Sequence, residues 1–264
     1  MDFDFSDDQE MLRDTVRKWV EKAYGFERRR EIVKAGGFSK DAWQGLADLG
    51  LLGLHVPEAQ GGMGFGPVDA MIVMEELGRG IVLEPYAPVA LVAASLLCWS
   101  HAPQTHGWMQ GITEGKQLLV LAHQERSARY ALAKVATTAS KSGDGWQLTG
   151  VKTMVPAGAH ADAFIVPARV SGAVDDPQGI ALFAVESRTS GVAVRGYPTQ
   201  DGGCAADLTL EGAAAIELLP AGKAFAALEH AIDTGIAALC AEAVGAMETL
   251  VAVTVEYMNT RKQF

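Results

Sequence analysis

The segment from about residue 221 to 264 constrains this chain most. It contains no proline, and apolar residues recur at Phe225, Leu228, Ile232, Ile236, Leu239, Ala243, Met247, Leu250 and Met258, with one break at Thr254. That spacing predicts one long helix with a buried stripe. No glycine or proline follows to stop it. Such a helix spans roughly 60 Å. It cannot bury its apolar side alone, so partner helices are expected from elsewhere. The ending Arg261-Lys262-Gln263-Phe264 reads as half of a site.

A length of 264 residues suits two or three units rather than one small core. Residues 1–112 read as helical. Ser6 with Gln9 three residues on is a capping-box signal, and Met11, Leu12, Val16, Trp19 and Val20 then share a face. Ser39 opens a second helix with Trp43, Leu46 and Leu49 inward and Gly50 as its stop. Helices are also predicted over about Pro67 to Leu77 and Pro88 to Cys98, the latter apolar on most faces. Residues 113–219 change character. Seven short β-favouring runs begin at Leu118, Val135, Trp146, Ala163, Ile180, Val192 and Leu208, separated by glycine, aspartate and proline turns. This predicts a compact antiparallel barrel or sandwich. Helices, then strands, then the helix of 220–264 show no strand–helix alternation, which argues against a Rossmann sheet.

Composition narrows the function. A net charge of −10 argues against a nucleic-acid partner, since phosphate binding needs clustered Lys and Arg. Cys98, Cys204 and Cys240 are widely spaced, as in a cytoplasmic protein with reduced thiols and no zinc pair. The opening MDFDFSDDQE lacks a signal-peptide core, and the apolar run Ala87 to Trp99 is too short to span a bilayer, so no transmembrane segment is expected. Walker, GxGxxG, HExxH, nucleophile-elbow and CxxC patterns are absent. The loop Gly61-Gly62-Met63-Gly64-Phe65-Gly66 follows no strand and reads as an inter-helix turn. His123 and His160 read as packed or surface residues. Two segments carry more. Leu121 to Tyr130 places Gln124, Glu125, Arg126, Arg129 and Tyr130 at a strand end, where they present groups to a planar ligand or form an ordinary polar loop. In Lys152 to Asp162, Pro156 ends pairing, and Met154 either packs on a ring system or fills a gap.

Three ordered stretches together resemble the acyl-CoA dehydrogenase family. They are FSDDQEMLRDTVRKWVEK with LADLGLLGLHVPEAQGGMGFG and VMEELGR, then LTGVKTMVPAGAHADAFIVPAR, then AVGAMETLVAVTVEYMNTRKQF. The stretches HQERSARY and RGYPTQDGGCAADLTL further resemble small subunits of pimeloyl-CoA dehydrogenase-like, two-component members. The resemblance implies a multi-domain α and β protein. Residues 1–112 form an N-terminal helical domain, 113–219 a middle antiparallel β-barrel, and 220–264 the first helix of an incomplete C-terminal helical bundle.

The resemblance also implies FAD, an acyl-CoA substrate desaturated between its α and β carbons, and a soluble electron acceptor such as an electron-transfer flavoprotein. A homo- or hetero-oligomer with a second dehydrogenase subunit is implied too. Arg261, Gln263 and Phe264 take the place of family residues that meet the FAD pyrophosphate of a neighbouring subunit, a role suited to a guanidinium fork. The flavin-binding run keeps only Glu125, with Gln124 before it able to bond a flavin edge. The family's flavin-flanking tryptophan and threonine fall at Met154 and Pro156. Its minority base position falls at Gly235, which cannot take a proton, and Glu229 and Asp233 are displaced around the helix, so no catalytic residue is assigned. Most members keep the base beyond the point matching residue 264. The chain alone is therefore expected to be inactive and poorly soluble. Two other readings of the same fold are a non-catalytic structural subunit of a heteromeric dehydrogenase and a flavin oxidase or monooxygenase.

Overall fold

The computed structural model describes residues 4–262, and local capping signals fix where several helices start. Ser6 Oγ accepts from the Gln9 amide while the Ser6 N–H donates to the Gln9 side chain, opening α1 (Asp7–Ala23). The face expected for α1 turns inward only in part: Val16 and Val20 are buried, but Met11 points to solvent. A second helix, α2 (Phe26–Lys34), escapes the sequence pattern because it is so polar that only Ile32 is buried. Ser39 caps α3 (Lys40–Asp48), and Pro67 with Asp69 starts α4 (Pro67–Arg79). The glycine-rich loop between them folds back on the 53–56 turn, with the amides of Met63, Gly64 and Phe65 donating to the carbonyls of Gly53, Val56 and Leu54. A π-helical stretch, Ala87–Ala93, runs directly into α5 (Ala94–Trp99), and α6 (Thr105–Thr113) follows despite its two glycines.

The strands are β1 (Leu119–Leu121), β2 (Thr138–Ser142), β3 (Gly145–Pro156), β4 (Ala163–Arg169), β5 (Ile180–Glu186), β6 (Val192–Pro198) and β7 (Cys204–Leu219). The pairings β4–β2, β2–β3, β3–β7, β7–β5 and β5–β4 close a circuit, with β1 added beside β4 and β6 beside β7. The barrel is thus present, but β1 and β2 both meet β4 in parallel. Leu148, Phe164, Val166, Phe183 and Leu208 fill its interior. Arg169 closes the rim by donating to five main-chain carbonyls, those of Ala133, Val135, Ser171, Val174 and Asp176. Arg29 ties the helices to the barrel, bonding the carbonyls of Ile81 and Asp201.

The long helix is α7 (Ala224–Thr260). Its buried face is not the large apolar stripe expected from periodicity. It is a seam of small residues: Ala224, Ala227, Ala231, Ala238, Ala241 and Gly245, with Leu228. Backbone proximity explains this. A Cβ on Gly78 of α4 would lie 2.1 Å from the Glu242 carbonyl oxygen, and one on Gly245 would lie 1.8 Å from that of Glu75. Larger side chains have no room at this crossing, so Ile236, Leu239, Met247, Leu250 and Met258 face outward. Among the described residues, α7 is also long and apolar enough to cross a membrane, by length and composition only, which the search for uninterrupted apolar runs missed. It is held against α4, with Arg79 paired to Glu248 and the Thr249 hydroxyl donating to the Arg79 carbonyl.

Replacing Gly245 by valine should therefore separate the two helices and cost about 3 kcal/mol of stability. Ile236→Ser on the outward stripe should leave the unfolding midpoint nearly unchanged. Chemical denaturation of both variants distinguishes a tight seam from a loose contact, which would tolerate valine.

Candidate functional site

The best-organised polar group in the barrel is Glu125, in the loop after β1. One carboxylate oxygen accepts from the Lys152 ammonium at 2.7 Å, the Thr137 amide at 3.0 Å and the Thr137 hydroxyl at 2.7 Å. The other accepts from the Ala136 amide at 2.8 Å. Lys152 is 0 % exposed and Glu125 6 %. Burial draws the Lys152 ammonium down to about 8, with Glu125 pulling it back up. Burial pushes the Glu125 carboxyl up, but the Lys152 charge and the Thr137 donors outweigh it and hold it below its ordinary value. The result is one pin through three segments: the β1 exit, the β2 entry and β3. His123, beside it, is lowered to about 4 by burial and then by the Lys152 charge, so it is a neutral packed residue.

Above this pin β3 bulges. The β3–β7 register jumps between Lys152, opposite Leu208, and Val155, opposite Ala206. Thr153 and Met154 therefore face the single residue Asp207. Met154 takes a left-handed φ of 54° and is 54 % exposed. Its amide donates to Asp207 Oδ1 at 3.3 Å, and the Thr153 amide donates to the Gln124 carbonyl at 2.9 Å. Asp207 also receives the Tyr197 hydroxyl at 3.1 Å and Arg195 Nη2 at 2.6 Å. The Arg195 bond outweighs the opposing effect of burial and, with the Met154 and Tyr197 bonds, holds its carboxyl below the ordinary range. Ala157 is left-handed too, at 55°, so β3 leaves the barrel through two kinks.

The expected site residues fall into separate places. Gln124 is exposed and sits beside the bulge. Glu125 lies beneath it with its carboxylate committed to protein donors, so it shapes the loop rather than lining its surface. Arg126, Arg129 and Tyr130 are exposed farther along, with Arg129 at a φ of 50°. Arg261 is carried away at the far end of α7, its guanidinium 5.6 Å from the centre of the Tyr257 ring. Every residue from Val251 to Thr260 is exposed. Gln263 and Phe264 lie outside the described residues. Sequence reasoning missed Lys152 and Asp207 as organisers. A lone lysine between apolar strand residues was the available signal for the first, whereas Asp207 needs the β3–β7 register.

A separate trough of about 950 Å³ runs between α4, α5 and α7, lined by Phe65, Met71, Ala90, Ala94, Ser95, Trp99, Asp233, Ala237 and others. His55 lies at the trough. Its Nδ1 meets the Phe65 carbonyl oxygen at 3.0 Å and must therefore carry the proton, leaving Nε2 as an unpaired acceptor. Gly235 is on another flank of α7, where an added Cβ would meet Val92 Cγ2 at 3.0 Å.

Comparison with known proteins places both halves of this fold. Residues 6–116 match the acyl-CoA dehydrogenase N-terminal domain and residues 121–210 the acyl-CoA dehydrogenase middle domain. Acyl-CoA dehydrogenase FadE27 of Mycobacterium tuberculosis is 29% identical over 269 residues, covering 100% of this chain and 68% of that protein. The crystal structure of the ChsE4-ChsE5 complex from Mycobacterium tuberculosis aligns with a TM-score of 0.85 at 30% identity, over 100% of this chain and 70% of that one. A structure reported for the electron transferring flavoprotein of Acidaminococcus fermentans aligns with a TM-score of 0.89 at 26% identity, over 100% and 71%.

Lys152→Met should strand the Glu125 charge and cost about 3–5 kcal/mol. Adding Glu125→Gln should recover part of that loss, because the glutamine oxygen still accepts from Thr137 while its NH2 group opposes the Ala136 amide. Urea denaturation of the two proteins tests this; equal instability of single and double variants would show that the pair is not coupled.

Proposed function

Because the chain belongs to the acyl-CoA dehydrogenase family, we propose that it is a subunit of an FAD-dependent enzyme that introduces an α,β double bond into an acyl-CoA thioester. The bulge at Met154 carries this reading. It stands at the register of the family's flavin-flanking aromatic, projects a polarizable thioether from a strained backbone, and lies beside the exposed Gln124. These residues fit a planar ring: Met154 against its face and the Gln124 amide, both donor and acceptor, at its edge. Pro156 brings no N–H, so this face supplies fewer donors than the family pattern. When bound, the flavin supplies the hydride acceptor for the desaturation.

The chain's own residues then have distinct tasks. The Glu125–Lys152 pin keeps the Gln124 loop and the bulge in fixed relation. Arg261 serves a pyrophosphate on a neighbouring subunit, together with Gln263 and Phe264; its position beyond ten exposed residues supports this. The outward stripe of α7 is covered by further bundle helices or a partner subunit, which also excludes water from the site. Asp233 lines the trough and Gly235 faces Val92, so no carboxylate of the described residues is assigned as the base. Electrons leave to a soluble acceptor of the electron-transfer flavoprotein kind. The substrate is a dicarboxylyl or other bulky acyl-CoA, and the setting is cytoplasmic.

A second reading, a structural subunit whose partner holds the flavin, is favoured by one observation: the flavin-binding run keeps only Glu125, and the large side chains of Arg126, Arg129 and Tyr130 stand exposed along it. The full protein copurified with its partner should be yellow and reduce an artificial dye on adding acyl-CoA. A colourless complex without dye reduction contradicts the dehydrogenase reading, and oxygen uptake without any CoA substrate would place it among oxidases.

A further inference from the structure

Asp207 is the residue opposite the β3 bulge, and three donors from two strands converge on it. Met154 and Tyr197 share Oδ1, while Arg195, its register partner on β6, holds Oδ2. Such an arrangement fixes the carboxylate from one side and the Met154 amide from the other. The register on either side of the bulge is set independently. Lys152 is buried on its ion pair and Val155 is buried in the barrel, so a one-residue slip would expel both. Strain from the left-handed Met154 is therefore confined to residues 153 and 154, whose amides are held by the Gln124 carbonyl and the Asp207 carboxylate. Pro156 adds no donor.

We propose that Asp207 is a positioning residue that locks residue 154 in its left-handed bulge and so sets the face presented to the flavin ring. The flavin part rests on the function proposed above. Asp207 touches no reacting atom in this account; it acts through the Met154 backbone. A plain surface ion pair between Asp207 and Arg195 is the competing explanation, and it makes no reference to residue 154.

A double-mutant cycle separates the two. Glycine adopts positive φ without steric cost, so Met154→Gly removes the strain that the clamp opposes. FAD affinity and the denaturation midpoint are measured for the full protein with its partner subunit, as wild type, D207A, M154G and the double variant. In the wild-type background D207A should weaken FAD binding roughly tenfold, the loss of one hydrogen bond to a charged acceptor. D207N, whose Oδ1 still accepts, should weaken it much less. In the M154G background D207A should change FAD affinity little further, and its effect on the denaturation midpoint should shrink to the loss of the Tyr197 and Arg195 bonds. Equal losses in both backgrounds, or none in either, would overturn the clamp. If wild type binds no FAD, the flavin reading fails, and the clamp stands or falls on the same non-additivity in the denaturation midpoints.

Discussion

The closeness of α4 and α7 governs much of what surrounds it. Gly78 and Gly245 let the two backbones meet where no Cβ fits, and that contact selects alanines for the rest of the seam. Once small residues are turned inward, the large apolar residues of α7 have only the outside left. The fold thus carries an outward apolar stripe from Ile236 to Met258, of the kind that marks an interaction surface. The same geometry carries the helix straight past α4. At about 1.5 Å per residue its 37 residues run roughly 55 Å from the barrel, taking Arg261 with them.

The barrel end depends on a different contact. Glu125 and Lys152 are desolvated, and such a pair contributes little net stability because burial costs both charges most of their hydration. Its value here is geometric. The carboxylate fixes the β1 exit against Thr137 and β3, and the exposed neighbours Gln124 and Met154 inherit that precision. Exposed residues on this face thus stand directly beside buried, ion-paired ones.

Much of this was legible in the sequence where signals are local. Ser6, Ser39 and Pro67 mark helix starts because capping needs only neighbouring residues, and each of the seven β-favouring runs overlaps a strand, although the run opened at Val135 reaches only the first two residues of β2. Nonlocal facts were not legible. Periodicity identified α7 as a helix but not its buried face, since Leu and Ala both count as apolar and only the approach of Gly78 distinguishes them. β3 and β7 extend well beyond the short runs that open at Trp146 and Leu208, through alanine, glycine and threonine, which pair because their neighbours hold them there. Glu125 looked like a ligand contact because it survives from the family pattern. Its burial depends on Lys152, twenty-seven residues on.

The central claim is that the Gln124–Met154 face and Arg261 of one chain belong to two different flavin sites, so that binding requires a neighbouring subunit. FAD titration of the full protein across a range of concentrations, with mass measured alongside, tests this directly. Affinity should emerge together with oligomer formation and be lost in Arg261→Ala while assembly persists. Stoichiometric FAD binding by an isolated monomer, unchanged by Arg261→Ala, would contradict the account.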